Sequence, residues 1–217
     1  MDKRFLAILG VIVVVFGGIL FVNTRSQKTV VGTPTNNVMG KLDSKVTLVE
    51  YGDFQCSACE SYNSTTDAVR TKYADRIKFQ FRNLPLSSLH PNAIGGARAA
   101  EAAALQGKFW QMHDLLYQQS NWTVWTNASD PTPNFESYAR QIGLNITTYK
   151  TDFKSEKVNN TINADIAAFE KTGADMATPT YFLNGKKIEL SKLVDTTGPS
   201  IDKFSAVLDQ ALADAVK

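Results

Sequence analysis

Apolar and polar positions early in the chain predict a strand, a helix and a second strand. The run Val46–Tyr51 is short and rich in β-branched residues, as strands usually are. Ser57–Ala74 has helical spacing, and Ile77–Phe81 alternates apolar with polar side chains. A strand, a helix and a strand in this order form the parallel unit of an α/β sheet.

The middle of the chain is predicted to be helical. Ala93–Gln119 is rich in alanine and is divided in two at Gly107. A loop rich in Trp, Asn and Pro is predicted next, at Asn121–Asn134. Three helices are predicted after it: Phe135–Ile142, Thr147–Ser155 and Lys157–Thr172. We expect about residues 86–155 to be a helical insertion that separates two halves of a mixed sheet.

Strand signals return near the end. Thr180–Leu183 and Lys187–Leu190 are short apolar runs separated by Asn184-Gly185, a strong local signal for a β-hairpin. A last helix is predicted from near Pro199, with apolar residues on one side. The predicted fold is therefore α/β.

The N-terminal segment Phe5–Val22 contains no charged residue. As a helix it is roughly 27 Å long, close to the hydrocarbon thickness of about 30 Å. A cleaved signal peptide is the alternative, although its apolar region usually has only about 7–15 residues. We predict a single transmembrane anchor at residues 5–22, a cytoplasmic tail at 1–4, a flexible tether at 23–45 and a folded domain at 46–217.

This arrangement predicts a single-pass protein of the cell membrane whose domain faces the extracytoplasmic side, where disulfides persist. The domain has the length of one folding unit, at about 170 residues. The formal net charge of +2 shows no basic excess, which argues against a nucleic-acid partner.

The chain has two cysteines, Cys56 and Cys59, separated by Ser57 and Ala58 at the predicted junction of strand and helix. A disulfide between them closes so short a loop that it stabilises by only roughly 2 kcal/mol, against about 4.7 kcal/mol for a loop of 100 residues. Two positions three apart in a helical turn can form and break a disulfide without backbone movement. We interpret the pair as a redox centre, with a passive clip or half of a zinc site as alternatives.

Several phrases of the sequence together resemble the DsbA-like thioredoxin-fold proteins: Val49-Glu-Tyr-Gly-Asp-Phe-Gln-Cys56, His90-Pro91, Gly107-Lys-Phe-Trp110 and Pro179-Thr-Tyr-Phe-Leu-Asn-Gly185. The resemblance implies a thioredoxin-like fold with a helical insertion and a membrane-tethered thiol–disulfide oxidoreductase. Its partners are then exported proteins with thiols and a membrane redox partner that reoxidises the pair. The redox-active disulfide Cys56–Cys59 takes the place of a cofactor, and no metal is expected.

The position of each cysteine predicts its role. Cys56 is expected at the start of a helix, where free N–H groups and the helix dipole favour a thiolate. Cysteines in such places have a pKa of about 3.5–7.5 instead of about 8.5, so Cys56 is the predicted nucleophile and Cys59 the resolving thiol. Ser57 and Ala58, which carry no charge, are predicted to tune the couple to a potential below that of the strongest oxidants in the family.

Three further residues are implied by the resemblance. Glu50 occupies the position of a buried acid that relays a proton to the second cysteine; the alternative is a side chain that points to solvent. Pro179 is expected to follow a cis peptide bond, and the backbone of Thr178 is expected to pair with an extended substrate. Two departures from the family pattern are Ser57-Ala58 in place of a Pro-His or Pro-Tyr pair and Ala177 in place of glycine.

Other functions remain as alternatives. The chain could be a reductase or isomerase of the same fold, or a tethered chaperone without redox turnover. A zinc- or copper-binding module would use the two cysteines with His90 and His113, but these histidines are 23 residues apart, far from the spacing of finger sites. His113 is predicted to pack within its helix, and His90 to lie in a loop or at the start of a helix.

Overall fold

The computed structural model describes residues 32–216. Within them the main sheet has five strands in the order β1-β3-β2-β4-β5. These strands are β1 (Asn37–Gly40), β2 (Thr47–Gly52), β3 (Lys78–Asn83), β4 (Thr180–Leu183) and β5 (Lys186–Ile188). A small two-stranded sheet contains β6 (Val194–Asp195) and β7 (Gly198–Pro199).

Most of the helices lie where the periodicity predicts them. In chain order they are α1 (Ser57–Lys72), α2 (Ala93–Ala104), α3 (Phe109–Tyr117), α4 (Gln119–Trp125), α5 (Thr132–Gln141), α6 (Ile146–Phe153), α7 (Glu156–Glu170) and α8 (Ile201–Ala215). A short 3-10 turn, Leu190–Lys192, occupies the end of the predicted strand Lys187–Leu190, so β5 is shorter than expected.

Strand pairing confirms the predicted mixed sheet. β2 and β3 run parallel, from Thr47 opposite Lys78 to Gly52 opposite Asn83, with α1 as their crossover. β4 runs antiparallel to β2, and β4 and β5 form the predicted hairpin. Asn184 and Gly185 both have positive φ, 49° and 79°, as the tight turn between these strands requires.

The predicted tether at 23–45 is wrong for its C-terminal part. Asn37–Gly40 is an edge strand that pairs antiparallel with β3, and the described structure extends back to residue 32. The polar composition and the nearby Pro34 and Gly40 indicated a linker, but the free edge of β3 supplies the hydrogen-bonding partners that make this segment a strand. The folded domain therefore begins before residue 46.

A buried polar cluster holds this N-terminal segment. Asp165 accepts hydrogen bonds from the backbone N–H of Thr35 at 2.9 Å and of Asn83 at 3.0 Å. Glu101 accepts from the side-chain amides of Asn37 and Asn83, both at 2.7 Å. Burial raises the pKa of Glu101 to about 7 and that of Asp165 to about 6. These contacts connect β1, β3, α2 and α7 on one side of the domain.

The predicted loop Asn121–Asn134 is only partly a loop. Its first residues belong to α4, and α5 begins at Thr132. Trp125 is fully buried, and its Nε1 donates to the carbonyl of Leu116 at 2.9 Å. Burial of this aromatic side chain in the insertion outweighs the low helix propensity of the surrounding Asn and Thr residues.

The two faces of the sheet contact different helices. On one face Leu48 and Tyr181 pack with Val69 of α1 and Phe204 of α8. On the other, a smaller cluster contains Tyr51, Leu84, Phe169 and Phe182. A third cluster consists mainly of buried side chains from the helical insertion, and it includes both cysteines. The two cysteines therefore lie where the sheet, α1 and the insertion meet.

The predicted anchor at residues 5–22 lies outside the described residues. Within residues 32–216, none of the helices has both the length and the apolar character that a membrane crossing requires.

Candidate active site

Cys56 and Cys59 lie at the N-terminal end of α1. Cys56 is the N-cap residue, in extended conformation, and its carbonyl accepts the first helical hydrogen bond from Glu60 N–H at 3.0 Å. Both residues have free thiol groups in this structure. Cys56 retains 8% of its accessible surface and Cys59 only 1%. The more exposed sulfur is thus at the helix end, as the sequence predicts.

The surroundings of Cys56 favour its thiolate. The thiol of Cys59, acting as a hydrogen-bond donor, is the largest influence that lowers the pKa of Cys56 to about 5, against the opposing effect of burial. The Thr178 side chain and the backbone N–H groups of Cys59 and Ala58 lower the pKa further. A thiol with this pKa is mostly ionised at neutral pH, which is the reactive form in disulfide exchange.

Cys59 has the opposite character. Burial raises the pKa of Cys59 well above its ordinary value, and the negative charges of Cys56 and Glu50 raise it further. One ionised, partly accessible sulfur therefore lies beside one protonated, buried sulfur. This asymmetry matches the predicted nucleophile and resolving thiol.

Thr178 lies directly against Cys56, and Pro179 follows it in the chain. The peptide bond between them is cis, as the resemblance implied. The carbonyl of Thr178 accepts a hydrogen bond from Cys56 Sγ at 3.4 Å when Cys56 carries its proton. Pro179 has no backbone N–H, so it cannot donate a hydrogen bond to the Cys56 sulfur in competition with a substrate. Ser57 and Ala58, the proposed tuning residues, are both exposed at this end of the helix.

Glu50 points inward from β2. It faces the same side of the sheet as α1, opposite Phe81 on β3 and Tyr181 on β4. Burial of the carboxyl raises the pKa of Glu50 to about 7, although the Arg70 guanidinium and the Tyr181 hydroxyl lower it. The alternative of a solvent-facing side chain is therefore wrong, and Glu50 has a pKa suited to proton transfer at neutral pH.

The turn that leads into Cys56 is held by contacts that the sequence does not reveal. The insertion contributes Tyr117, whose hydroxyl donates to the Asp53 carbonyl at 3.1 Å, and Trp122, whose Nε1 donates to the Phe54 carbonyl at 2.8 Å. Gln55 accepts from Asn92 N–H at 2.6 Å. The Trp-rich segment thus contributes both packing and a support for the active-site turn.

The two histidines contact carboxylates instead of the cysteine sulfurs. His90 Nδ1 lies 2.7 Å from Asp53 Oδ2, and His113 Nδ1 lies 2.9 Å from Asp114 Oδ1. His113 is buried among aromatic rings, and burial lowers its pKa to about 4, so it packs as a neutral side chain. Among residues 32–216, the structure brings together no group of three or more Cys, His, Asp or Glu side chains suited to a metal ion.

Comparison with known families agrees with this geometry. A family model described as thioredoxin matches residues 32–209. The chain belongs to the thioredoxin family. The match includes the segment before residue 46, in agreement with the presence of β1 in the thioredoxin domain.

The curated relatives of this thioredoxin domain are much longer proteins. A protein named Na(+)/H(+) antiporter NhaA 1 from Mycolicibacterium gilvum is 37% identical over 155 residues, which cover 70% of this chain and 24% of that protein. The protein of the same name from Mycolicibacterium vanbaalenii is 36% identical over 152 residues, 69% of this chain and 23% of that protein. The chain spans about a quarter of the length of these relatives.

Solved structures share the thioredoxin-like fold. Oxidised BdbD from Bacillus subtilis is 21% identical with a TM-score of 0.66, over 84% of this chain and 97% of that one. A thioredoxin-like oxidoreductase from Silicibacter pomeroyi is 22% identical with a TM-score of 0.64, over 80% and 90% of the two chains. The thiol-disulfide exchange protein alpha-DsbA2 from Wolbachia pipientis gives a TM-score of 0.65 at 16% identity, over 81% and 86%.

Proposed function

We propose that this chain is a protein thiol–disulfide oxidoreductase that introduces disulfides into exported proteins. The observation that supports this most is the asymmetry of the redox pair, with Cys56 favoured as thiolate and Cys59 buried as thiol. Neighbours of the same fold are described as a thioredoxin-like oxidoreductase and as a thiol-disulfide exchange protein, which supports the same kind of reaction.

The reaction begins with a disulfide between Cys56 and Cys59. A substrate thiolate attacks Cys56 Sγ, the Cys56–Cys59 bond breaks, and Cys59 leaves with the electron pair and takes up a proton. A second thiolate of the substrate then attacks the substrate sulfur of the mixed disulfide, and Cys56 leaves as a thiolate. The substrate has lost two electrons and gained a disulfide, while the cysteine pair is reduced. A low pKa makes Cys56 a good leaving group in the second step.

One contact supports an extended polypeptide as the substrate. Thr178 lies against Cys56 just before the start of β4, where the backbone of the Thr178-Pro179 segment can pair with an added strand. We propose that the reduced pair is reoxidised by a membrane redox partner, and that residues 5–22 hold the domain at the extracytoplasmic side of the cell membrane.

Disulfide transfer to a model substrate tests this function. The oxidised protein, mixed with a reduced unfolded protein at neutral pH, should lose its disulfide as disulfides appear in the substrate. Cys56→Ser should abolish the transfer, because no disulfide can form. Ser61→Ala, a change of similar size on the exposed side of α1, is the matched control and should transfer normally. An oxidised wild-type protein that stays oxidised beside excess substrate thiols would contradict the proposal.

The reduction potential is expected to lie below that of the strongest oxidants of this fold. With a pKa of about 5, the Cys56 thiolate stabilises the reduced form less than a thiolate with a pKa of about 3.5 would. Equilibration with glutathione should therefore give a value more negative than about −120 mV. Ala58→His, which adds a titratable cation next to the thiolate, should raise the potential, whereas Ala58→Gln should change it little. A wild-type value at or above −120 mV would refute the assignment of Ser57 and Ala58 as moderating residues.

A further inference from the structure

The Asp53 turn, residues 53–56, ends at Cys56 and contacts Cys59. The carbonyl of Asp53 accepts from Cys56 N–H at 3.0 Å, which fixes the N-cap residue of α1. The backbone N–H of Asp53 forms a hydrogen bond to Cys59 that favours its thiolate. A shift of this turn therefore moves Cys56 relative to the donors at the helix end and changes the surroundings of Cys59 at the same time.

The carboxylate of Asp53 stabilises the turn through hydrogen bonds. It is completely buried and accepts hydrogen bonds from Gln55 N–H at 2.8 Å and from Leu86 N–H at 2.9 Å. The third contact is His90 Nδ1, at 2.7 Å from Oδ2. The carboxylate thus joins two loops, the Asp53 turn and the segment between β3 and α2 that carries Leu86 and His90.

His90 is the side chain that forms an ion pair with Asp53 when the imidazole carries its second proton. About a quarter of its surface stays exposed, whereas the carboxylate has none. A buried carboxylate is costly without hydrogen-bonded partners, and loss of one partner leaves the charge less well compensated. Removal of the imidazole should therefore displace the Asp53 turn.

We propose that His90 is a positioning residue for the redox pair, which acts through Asp53 to hold Cys56 in register with the hydrogen-bond donors at the start of α1. This proposal rests on the redox role of Cys56 and Cys59 given above. A merely structural residue would stabilise the loops without altering the thiolate.

Two substitutions separate these roles. His90→Phe keeps a ring of similar size but removes the donor, while His90→Asn retains a short donor near the position of Nδ1. The readouts are the pKa of the Cys56 thiolate, followed by its ultraviolet absorbance during a pH titration, and the equilibrium constant with glutathione. The matched control is Asn37→Ala on β1, which removes a buried hydrogen bond to Glu101 on α2. It shows what a loss of stability alone does to the two readouts.

We expect His90→Phe to raise the pKa of Cys56 by about one unit and to make the glutathione equilibrium about tenfold less oxidising, or about 30 mV. His90→Asn should restore most of both values, and Asn37→Ala should change neither. His90→Phe with lower thermal stability but an unchanged thiolate pKa would overturn the proposal, as would failure of His90→Asn to restore it. Because these readouts need no protein substrate, failed disulfide transfer would contradict the proposed oxidation of proteins and leave this result standing.

Discussion

A Cys59→Ser variant should accumulate as a covalent adduct with its substrates. In this variant the backbone N–H groups at the start of α1 still favour the Cys56 thiolate, which attacks a substrate disulfide and forms a mixed disulfide as the other substrate sulfur leaves. In the native protein the Cys59 thiol, a helical turn away, attacks Cys56 and releases the substrate. Serine cannot do this, so the adduct should persist. Non-reducing electrophoresis with a disulfide-bonded unfolded protein should show most of the variant in a band that dithiothreitol removes.

The reciprocal variant is the control. Cys56→Ser leaves Cys59 as the remaining thiol, 1% exposed and with a pKa far above its ordinary value. It should form almost no adduct under the same conditions. Comparable adducts from both variants would show that the two sulfurs are equivalent, and would remove the assignment of nucleophile and resolving thiol.

Local features of the sequence were sufficient to predict that the two cysteines lie between a strand and a helix, and to predict the elements around them. Cys56 and Cys59 follow a β-branched strand and precede a helix, and the Asn184-Gly185 turn specifies its hairpin without help from distant residues. Each of these features depends on neighbours in the chain. The resemblance added the cis peptide bond before Pro179, which the structure shows, and the proposed role of Glu50 in proton transfer; periodicity alone gives neither.

Features that depend on distant partners were missed. β1 forms because β3 has a free edge and because Glu101 and Asp165, far along the chain, accept hydrogen bonds from its segment. The contact between Asp53 and His90 joins loops 37 residues apart. Both the motif that contains Asp53 and the His90-Pro91 motif were identified in the sequence. Nothing in the residues next to either motif indicated that Asp53 and His90 are in contact.

Glu50 is expected to assist both directions of exchange, each on a different side of its pKa, because this pKa lies near neutrality. During oxidation of a substrate, Cys59 leaves as a thiolate and needs a proton, which the protonated Glu50 can supply below about pH 7. During reduction, Cys59 must lose its proton before it attacks Cys56, and the ionised Glu50 can accept it above about pH 7. The buried acid thus serves as donor on one side of its pKa and as base on the other.

Glu50→Gln removes both functions and keeps the size of the side chain. The oxidation and reduction steps should slow by about 10²-fold, the lower end of the usual range for general acid–base catalysis. The ratio of wild-type to variant rate should be largest below pH 7 for oxidation and above pH 7 for reduction, as measured by stopped-flow fluorescence. Glu60→Gln, which changes a carboxylate in the first turn of α1, is the matched control and should leave both profiles unchanged. A rate ratio that does not change with pH in either direction would contradict a proton relay and leave Glu50 with a structural role. Only a group with a pKa near 7 can assist oxidation as an acid below this pH and reduction as a base above it.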